Sequence, residues 1–148
     1  MSSVDSLENH DQFHLEQLHK LSCQSGSKDI LVIDDSTGDL MDIQKIMNLK
    51  YADQFHVRYC LDAEKGIEIL KENNFFLVLL DFKMPKLNGL EVIETVNKMK
   101  QNVPFVVLTG YGDPSMREAL TRLGVMLLLD KPITEKKLDM LLTLTHAK

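Results

Sequence analysis

Three acidic residues, Asp34, Asp35 and Asp81, and two other polar residues, Thr109 and Lys131, stand at or just after the ends of short apolar runs. Taken singly, each has an ordinary explanation. Asp34-Asp35 can open a turn, Asp81 can cap a loop, Thr109 can end a strand, and Lys131 can be a surface charge. As a set they share one chemistry. Carboxylates drawn together repel by about 4 kcal/mol per pair at 4 Å and an effective dielectric near 20, unless something positive sits among them. A hard divalent cation meets that need. Magnesium, or manganese, takes oxygen ligands, and magnesium keeps several waters, which suits few carboxylates around an open position. Such an ion can also neutralise charge when a carboxylate attacks an anionic phosphoryl group. The hydroxyl of Thr109 and the ammonium of Lys131 are the types that would hold the remaining phosphoryl oxygens.

For that chemistry the five residues must meet, and the chain's patterning supplies a way. Residues 30–33, 76–80, 105–108 and 125–129 are continuously apolar, as strands covered on both faces are. Residues 55–60 instead alternate, with Phe55, Val57 and Tyr59 against His56 and Arg58, which places that strand at an edge. Between the strands, Leu40, Ile43 and Met47; Ala63, Ile67 and Leu70; Leu90, Ile93 and Val96; and Met116, Leu120 and Leu123 mark helical faces. A last helix carries Leu138, Leu141 and Leu142. Asn88 with Glu91 reads as a capping box, Asp113-Pro114 as a helix start, and Gly124 as a stop. Five βα units with right-handed crossovers imply a parallel sheet between two helical layers. All strand C-termini then reach one rim, where ligands bind in such folds. The peptide bond before Pro132 is expected to be cis, fixing where Lys131 points.

The 148 residues are the size of one domain, and 44% hydrophobic with 26% charged is a globular balance. Lys+Arg 17 against Asp+Glu 22 gives a net charge of -5, with no broad positive field for nucleic acid. No apolar run approaches the ~20 residues of a membrane helix, and no basic cluster followed by an apolar segment marks a secretory signal. Cys23 and Cys60 read as reduced thiols in a cytoplasmic setting. Residues 1–28 read as an extension set off by Ser25-Gly26-Ser27. Within it Phe13, Leu15, Leu18 and Leu21 fall partly on one stripe, consistent with a short amphipathic helix or, equally, a frayed tail. His10, His14 and His19 in this stretch lack a companion acid or cysteine ligand pattern and read as solvated side chains.

The motifs resemble those of the response-regulator receiver domains of two-component signalling, of which the bacterial chemotaxis regulator is the minimal example. The matching text is Ile30-Leu-Val-Ile-Asp-Asp-Ser36, Leu79-Leu-Asp-Phe-Lys-Met-Pro-Lys-Leu-Asn-Gly89, Val106-Val-Leu-Thr-Gly110 and Asp130-Lys-Pro132, over about residues 29 to 146. The resemblance implies a flavodoxin-like α/β fold: a five-stranded parallel doubly wound sheet, strand order 2-1-3-4-5, with five helices over residues 29–148. It implies Asp81 as the phosphoacceptor, Asp35 as a direct magnesium ligand, Asp34 as its companion through water, and the backbone carbonyl of Lys83 as a further ligand. Thr109 and Lys131 would contact the phosphoryl group and transmit its presence. The donor would be a sensor histidine kinase or phosphotransfer protein, and the protein would catalyse only its own phosphorylation and slow dephosphorylation. Leu128 stands where the family often places a switch aromatic, and it lacks a phenolic handle. Lys83 and Tyr111 occupy positions that in the family govern water access, and this bulky pair is expected to slow hydrolysis.

With little chain after the last helix, the expected output is binding to a downstream protein rather than an attached effector. Apolar residues beyond the core stripe, Met140 and Leu144, and the apolar last strand suggest a covered surface. The coverings open at this point are a homodimer through the fourth helix, fifth strand and fifth helix, a downstream partner, or the N-terminal helix folded back. A phosphorylation-insensitive scaffold is the alternative function, supported by Leu128. A phosphohydrolase is disfavoured because Lys83, not a second acid, stands two residues after Asp81.

Overall fold

Apolar runs and helical stripes alternate along the chain, and each becomes an element. The structure, a computed structural model, describes residues 9–24, 26–100, 102–110, 114–125 and 127–146, with side chains for all of these except 9–15, 114, 115 and 144–146. In chain order the elements are α1 (Asn9–Gln24), β1 (Asp29–Ile33), α2 (Thr37–Lys50), β2 (His56–Cys60), α3 (Ala63–Glu72), β3 (Leu77–Asp81), α4 (Gly89–Asn97), β4 (Phe105–Thr109), α5 (Pro114–Arg122), β5 (Leu127–Asp130) and α6 (Glu135–His146). The five strands form one parallel sheet in the order β2-β1-β3-β4-β5. This is the doubly wound α/β fold expected, with β2 at an edge and one helix after each strand.

Alternation along the strands divides the core into two layers. Ile30, Val32, Leu79, Val106, Leu108, Leu127 and Leu129 pack with Leu40, Ile43 and Met47 of α2 and with Leu138, Leu141 and Leu142 of α6. Leu31, Ile33, Val78, Leu80 and Val107 pack on the other face with α3, α4 and α5. Each fully buried aliphatic side chain contributes about 1.5–3 kcal/mol relative to exposure. Gly66 lets α3 lie close to β1, since a Cβ there would stand 2.6 Å from Ile33 Cδ1.

Polar side chains set the helix ends. Ser36 Oγ accepts from Asp39 N at 3.2 Å to start α2, and Asn88 and Glu91 form the expected capping box on α4. Gly124, at φ +93°, closes α5. Val125, expected in the last strand, still bonds back to Leu120 O at 3.1 Å as part of that closure, so β5 begins at Leu127. The Asp113 helix start lies outside the described residues. At the far end of α2, Lys50 Nζ and Tyr51 Oη both donate to Asp139 of α6, at 2.6 and 2.5 Å. These bonds hold the Asp139 carboxyl below its ordinary range.

The N-terminal stripe forms a 16-residue helix, α1, longer than the short segment or frayed tail expected. It packs against α6 and β5. Leu18 is fully buried in the same cluster as Leu127, Leu138 and Leu141. The covering that the structure places on the apolar surface of β5 and α6 is therefore the chain's own helix. Met140 is half-buried, and the side chain of Leu144 lies outside the described residues. His19 is half-buried, with Nε2 3.6 Å from Cys23 Sγ; the side chains of His10 and His14 are not among those described. Cys23 and Cys60 are free thiols. Among the described residues no helix is long and apolar enough to cross a membrane.

Truncating Leu18 to alanine removes a fully enclosed side chain, so Leu18→Ala is expected to lower unfolding stability by about 2–5 kcal/mol. A urea titration measures it. Deleting residues 1–28 uncovers the apolar side chains of α6 and β5, and the shortened chain is expected to self-associate in sedimentation experiments where the full chain does not. An unchanged sedimentation coefficient per unit mass would show that α1 covers nothing of consequence.

Candidate functional site

Strand register decides which polar residues meet. Ile33 pairs with Leu80, so Asp34 and Asp81 leave β1 and β3 side by side. Ile33 and Leu80 belong to the α3–α5 face, and alternation turns Asp34 and Asp81 toward the opposite face, that of α2 and α6. The ladder continues one bond past the ends of β1, β3 and β5 and holds these exits in place. Asp34 N donates to Cys60 O at 3.0 Å, Phe82 N to Leu108 O at 2.9 Å, and Lys131 N to Thr109 O at 2.8 Å. The Lys131–Pro132 peptide bond is cis, as expected.

The result is convergence of all three predicted carboxylates and the predicted lysine. Asp34, Asp35 and Asp81 each offer an oxygen within 4.8 Å of the others. Asp34 is fully buried; its Oδ1 accepts from Ser36 N at 2.9 Å and its Oδ2 from Lys131 Nζ at 3.1 Å. Lys131 Nζ also lies 3.0 Å from Asp81 Oδ1. Asp35 is exposed, at the mouth of the cluster. A fourth carboxylate was not foreseen: Asp39 Oδ2 accepts from Lys131 Nζ at 2.7 Å. The signal in the sequence was an acid in the first turn of the helix that follows Asp34-Asp35. That position has a sufficient local explanation as a first-turn acid at a helix N-terminus, which hides its tertiary partner.

Charge and burial shift these groups in opposite ways. Burial chiefly, with the neighbouring Asp34 charge adding to it, pushes the Asp81 carboxyl up to about 7 against the opposing pull of Lys131. For Lys131 the largest influence, burial, acts downward, yet its bonds to Asp39, Asp81 and Asp34 together hold the ammonium above its ordinary value. A fixed cation among carboxylates thus offsets part of their repulsion.

An open cavity of about 750 Å³ adjoins the cluster, bordered by Asp35, Asp81, Lys83, Thr109, Lys131 and Met116. Thr109 is buried at the end of β4, on the wall of this cavity. Lys83 is exposed at its edge, while Tyr111 lies outside the described residues. Leu128 is half-buried on the α3–α5 face, packed as an ordinary core side chain. The donor set fits a hard divalent cation. Asp34, Asp35 and Asp81 are oxygen donors only, one of them is open to solvent, and burial with the Asp34 charge raises the Asp81 carboxyl despite the neighbouring ammonium. Those three would hold the metal.

Comparison with known proteins agrees with this geometry. The family model described as response regulator receiver domain matches residues 30–143. The chain is 34% identical over 79 residues to a probable chemotaxis protein CheY of Rhizobium etli, covering 52% of this chain and 61% of that one. It is 28% identical over 116 residues to the signal transduction histidine-protein kinase BarA of Escherichia coli K12, covering 76% of this chain and 12% of the kinase. The chain thus spans less than two thirds of the length of either relative. A CheY-like receiver domain protein of Methanospirillum hungatei has the same fold, with a TM-score of 0.69 at 23% identity, over 82% of this chain and 99% of that one.

A carboxyl raised from the ordinary range to about 7 binds its proton more tightly folded than unfolded, so stability falls as pH rises between about 4 and 7. Without metal, Asp81→Asn is therefore expected to be more stable than the natural chain above about pH 7, with the gap closing toward pH 4. Denaturant midpoints across that range in a chelating buffer measure it. A natural chain at least as stable as the variant at the alkaline end would contradict the environment described for Asp81.

Proposed function

The chain belongs to the response regulator receiver domain family, and from that premise we propose that it accepts a phosphoryl group on Asp81 and signals by changing what it binds. The observation that carries this reading is the convergence of Asp34, Asp35 and Asp81 around one another, with Lys131 Nζ 3.0 Å from Asp81. A carboxylate oxygen of Asp81 attacks the phosphorus of a phosphohistidine. A P–O bond forms, the P–N bond breaks, and the imidazole nitrogen leaves with the electron pair and takes a proton. A magnesium or manganese ion, held by Asp34, Asp35, Asp81 and the Lys83 carbonyl, would neutralise charge on the transferring group. Lys131 transfers its Asp81 hydrogen bond to a phosphoryl oxygen, and Thr109 supplies a hydroxyl from the cavity wall.

The donor is a sensor histidine kinase or phosphotransfer protein, a class that the similarity to a histidine-protein kinase supports. Residues 29–148 are the receiver domain, residues 1–28 its extension, and the cytoplasm its compartment. The protein is a phosphoacceptor with no separate substrate, catalysing only its own modification and its slow loss. Leu128 favours a second reading, an interaction module whose binding ignores phosphorylation. Its half-buried aliphatic side chain has no hydroxyl or ring with which to report on Thr109.

Incubation with magnesium and acetyl phosphate, followed by intact-mass measurement, is expected to show a single phosphoryl adduct on the natural chain and none on Asp81→Asn. Absence of the adduct from the natural chain, or its persistence in the variant, overturns the assignment of Asp81. The side chains of Lys83 and Tyr111 are proposed to restrict water. The double variant Lys83→Ala, Tyr111→Ala is accordingly expected to lose the phosphoryl group faster than the natural chain after the donor is removed, as followed by the decay of the adduct.

A further inference from the structure

Lys131 has three N–H donors and three carboxylate partners, Asp39 at 2.7 Å, Asp81 at 3.0 Å and Asp34 at 3.1 Å. Every donor of the ammonium is therefore engaged. Asp34 and Asp81 belong to the group that could hold a metal; Asp39 does not. Asp39 sits in the first turn of α2, fixed by the bond from its own N–H to Ser36 Oγ, and its side chain makes the shortest of the three contacts to Lys131. Ser36 N in turn donates to Asp34 Oδ1 at 2.9 Å, so one cap ties Asp34 and Asp39 to the same lysine from either side. A small cavity between α2 and the loop that joins β5 to α6 is lined by Asp34, Asp39, Asp42, Leu108, Lys131 and Pro132. Asp39 lines this cavity and not the open groove beside Asp81, whereas Lys131 borders both.

We infer that Asp39 is a positioning residue that holds the Lys131 ammonium in the resting protein and so restrains phosphoryl acceptance at Asp81. The inference rests on the proposed phosphoacceptor role. Acceptance replaces one negative charge on Asp81 with the two of a bound phosphoryl group, close to a site that already carries Asp34 and Asp35. Asp39 adds a further negative charge there while drawing away the cation that the new charge needs. Neutralising it leaves Lys131 with two carboxylates and more of its field for the phosphoryl oxygens. Asparagine keeps the shape, the backbone bond to Ser36 and an acceptor oxygen for Lys131, and removes only the charge. The Asp39 side chain is 40% exposed, so solvent screening makes the effect moderate.

The test uses the full chain with magnesium and acetyl phosphate, following the adduct by intact mass in the natural protein, Asp39→Asn, Asp39→Ser and Asp39→Glu, with thermal midpoints measured alongside. Asp39→Asn and Asp39→Ser are expected to accept the phosphoryl group about two- to fivefold faster, the fold-change of one partly screened ion pair lost. Asp39→Glu, which restores the charge, is expected to return the rate toward that of the natural chain. If Asp39 serves only as a first-turn acid for α2, the midpoints drop and the rates stay level or fall, and the inference is overturned. A rate that rises equally in Asp39→Glu also overturns it, because charge is then not the cause. No adduct on the natural chain would defeat the phosphoacceptor reading itself, an outcome distinct from a natural chain that reacts beside an unresponsive Asp39→Asn.

Discussion

Lys131 sits within 3.1 Å of carboxylate oxygens from Asp34, Asp39 and Asp81, and the rest of the rim is arranged around that contact. Parallel strands deliver their last residues to one edge of the sheet, so acids at the ends of neighbouring strands are forced close whether or not their charges allow it. At an effective dielectric near 20, each such pair costs about 4 kcal/mol at 4 Å. Burial chiefly, with the Asp34 charge adding to it, raises the Asp81 carboxyl to about 7, and a single ammonium offsets only part of this. The site is consequently short of positive charge, and a divalent cation is the group that would relieve it.

Holding charges in so unfavourable an arrangement needs a rigid frame. The two-layer core provides it: strands buried on both faces cannot shift register without exposing a whole row of aliphatic side chains. The ladder bonds that run one residue past β1, β3 and β5 extend this rigidity to Asp34, Phe82 and Lys131. Asp35 and Lys83 lie outside that frame and remain exposed, at the open side of the cluster. The site thus has a fixed half, which holds the buried carboxylates, and an open half, which faces solvent.

On the face of α2 and α6, α1 adds a third helix. Leu18 enters the same cluster as the side chains of β5 and α6, so the N-terminal segment is part of the packed core rather than an appendage lying on it. The elements it touches are those that follow Thr109 in the sheet and carry Lys131 between them. Any rearrangement of β5 and α6 must then work against α1 as well.

Much of this was legible from residue order alone. Strands with both faces buried are uniformly apolar, so residues 30–33 and 105–108 identified themselves, and the alternation of His56 to Cys60 marked the edge strand. Parallel topology then determined that Asp34, Asp35, Asp81, Thr109 and Lys131 share a rim, because the direction of every strand is the same. Partners that come from different helices or from a helix and a loop were not legible. Asp39 reads as an ordinary first-turn acid, and its contact with Lys131 depends on how α2 and the loop between β5 and α6 lie across the sheet. The docking of α1 was equally hidden, because four apolar residues with partial helical spacing do not specify which surface they cover. Local pattern encodes which face of an element is buried; the identity of what lies on that face is a property of packing, and only the folded chain decides it.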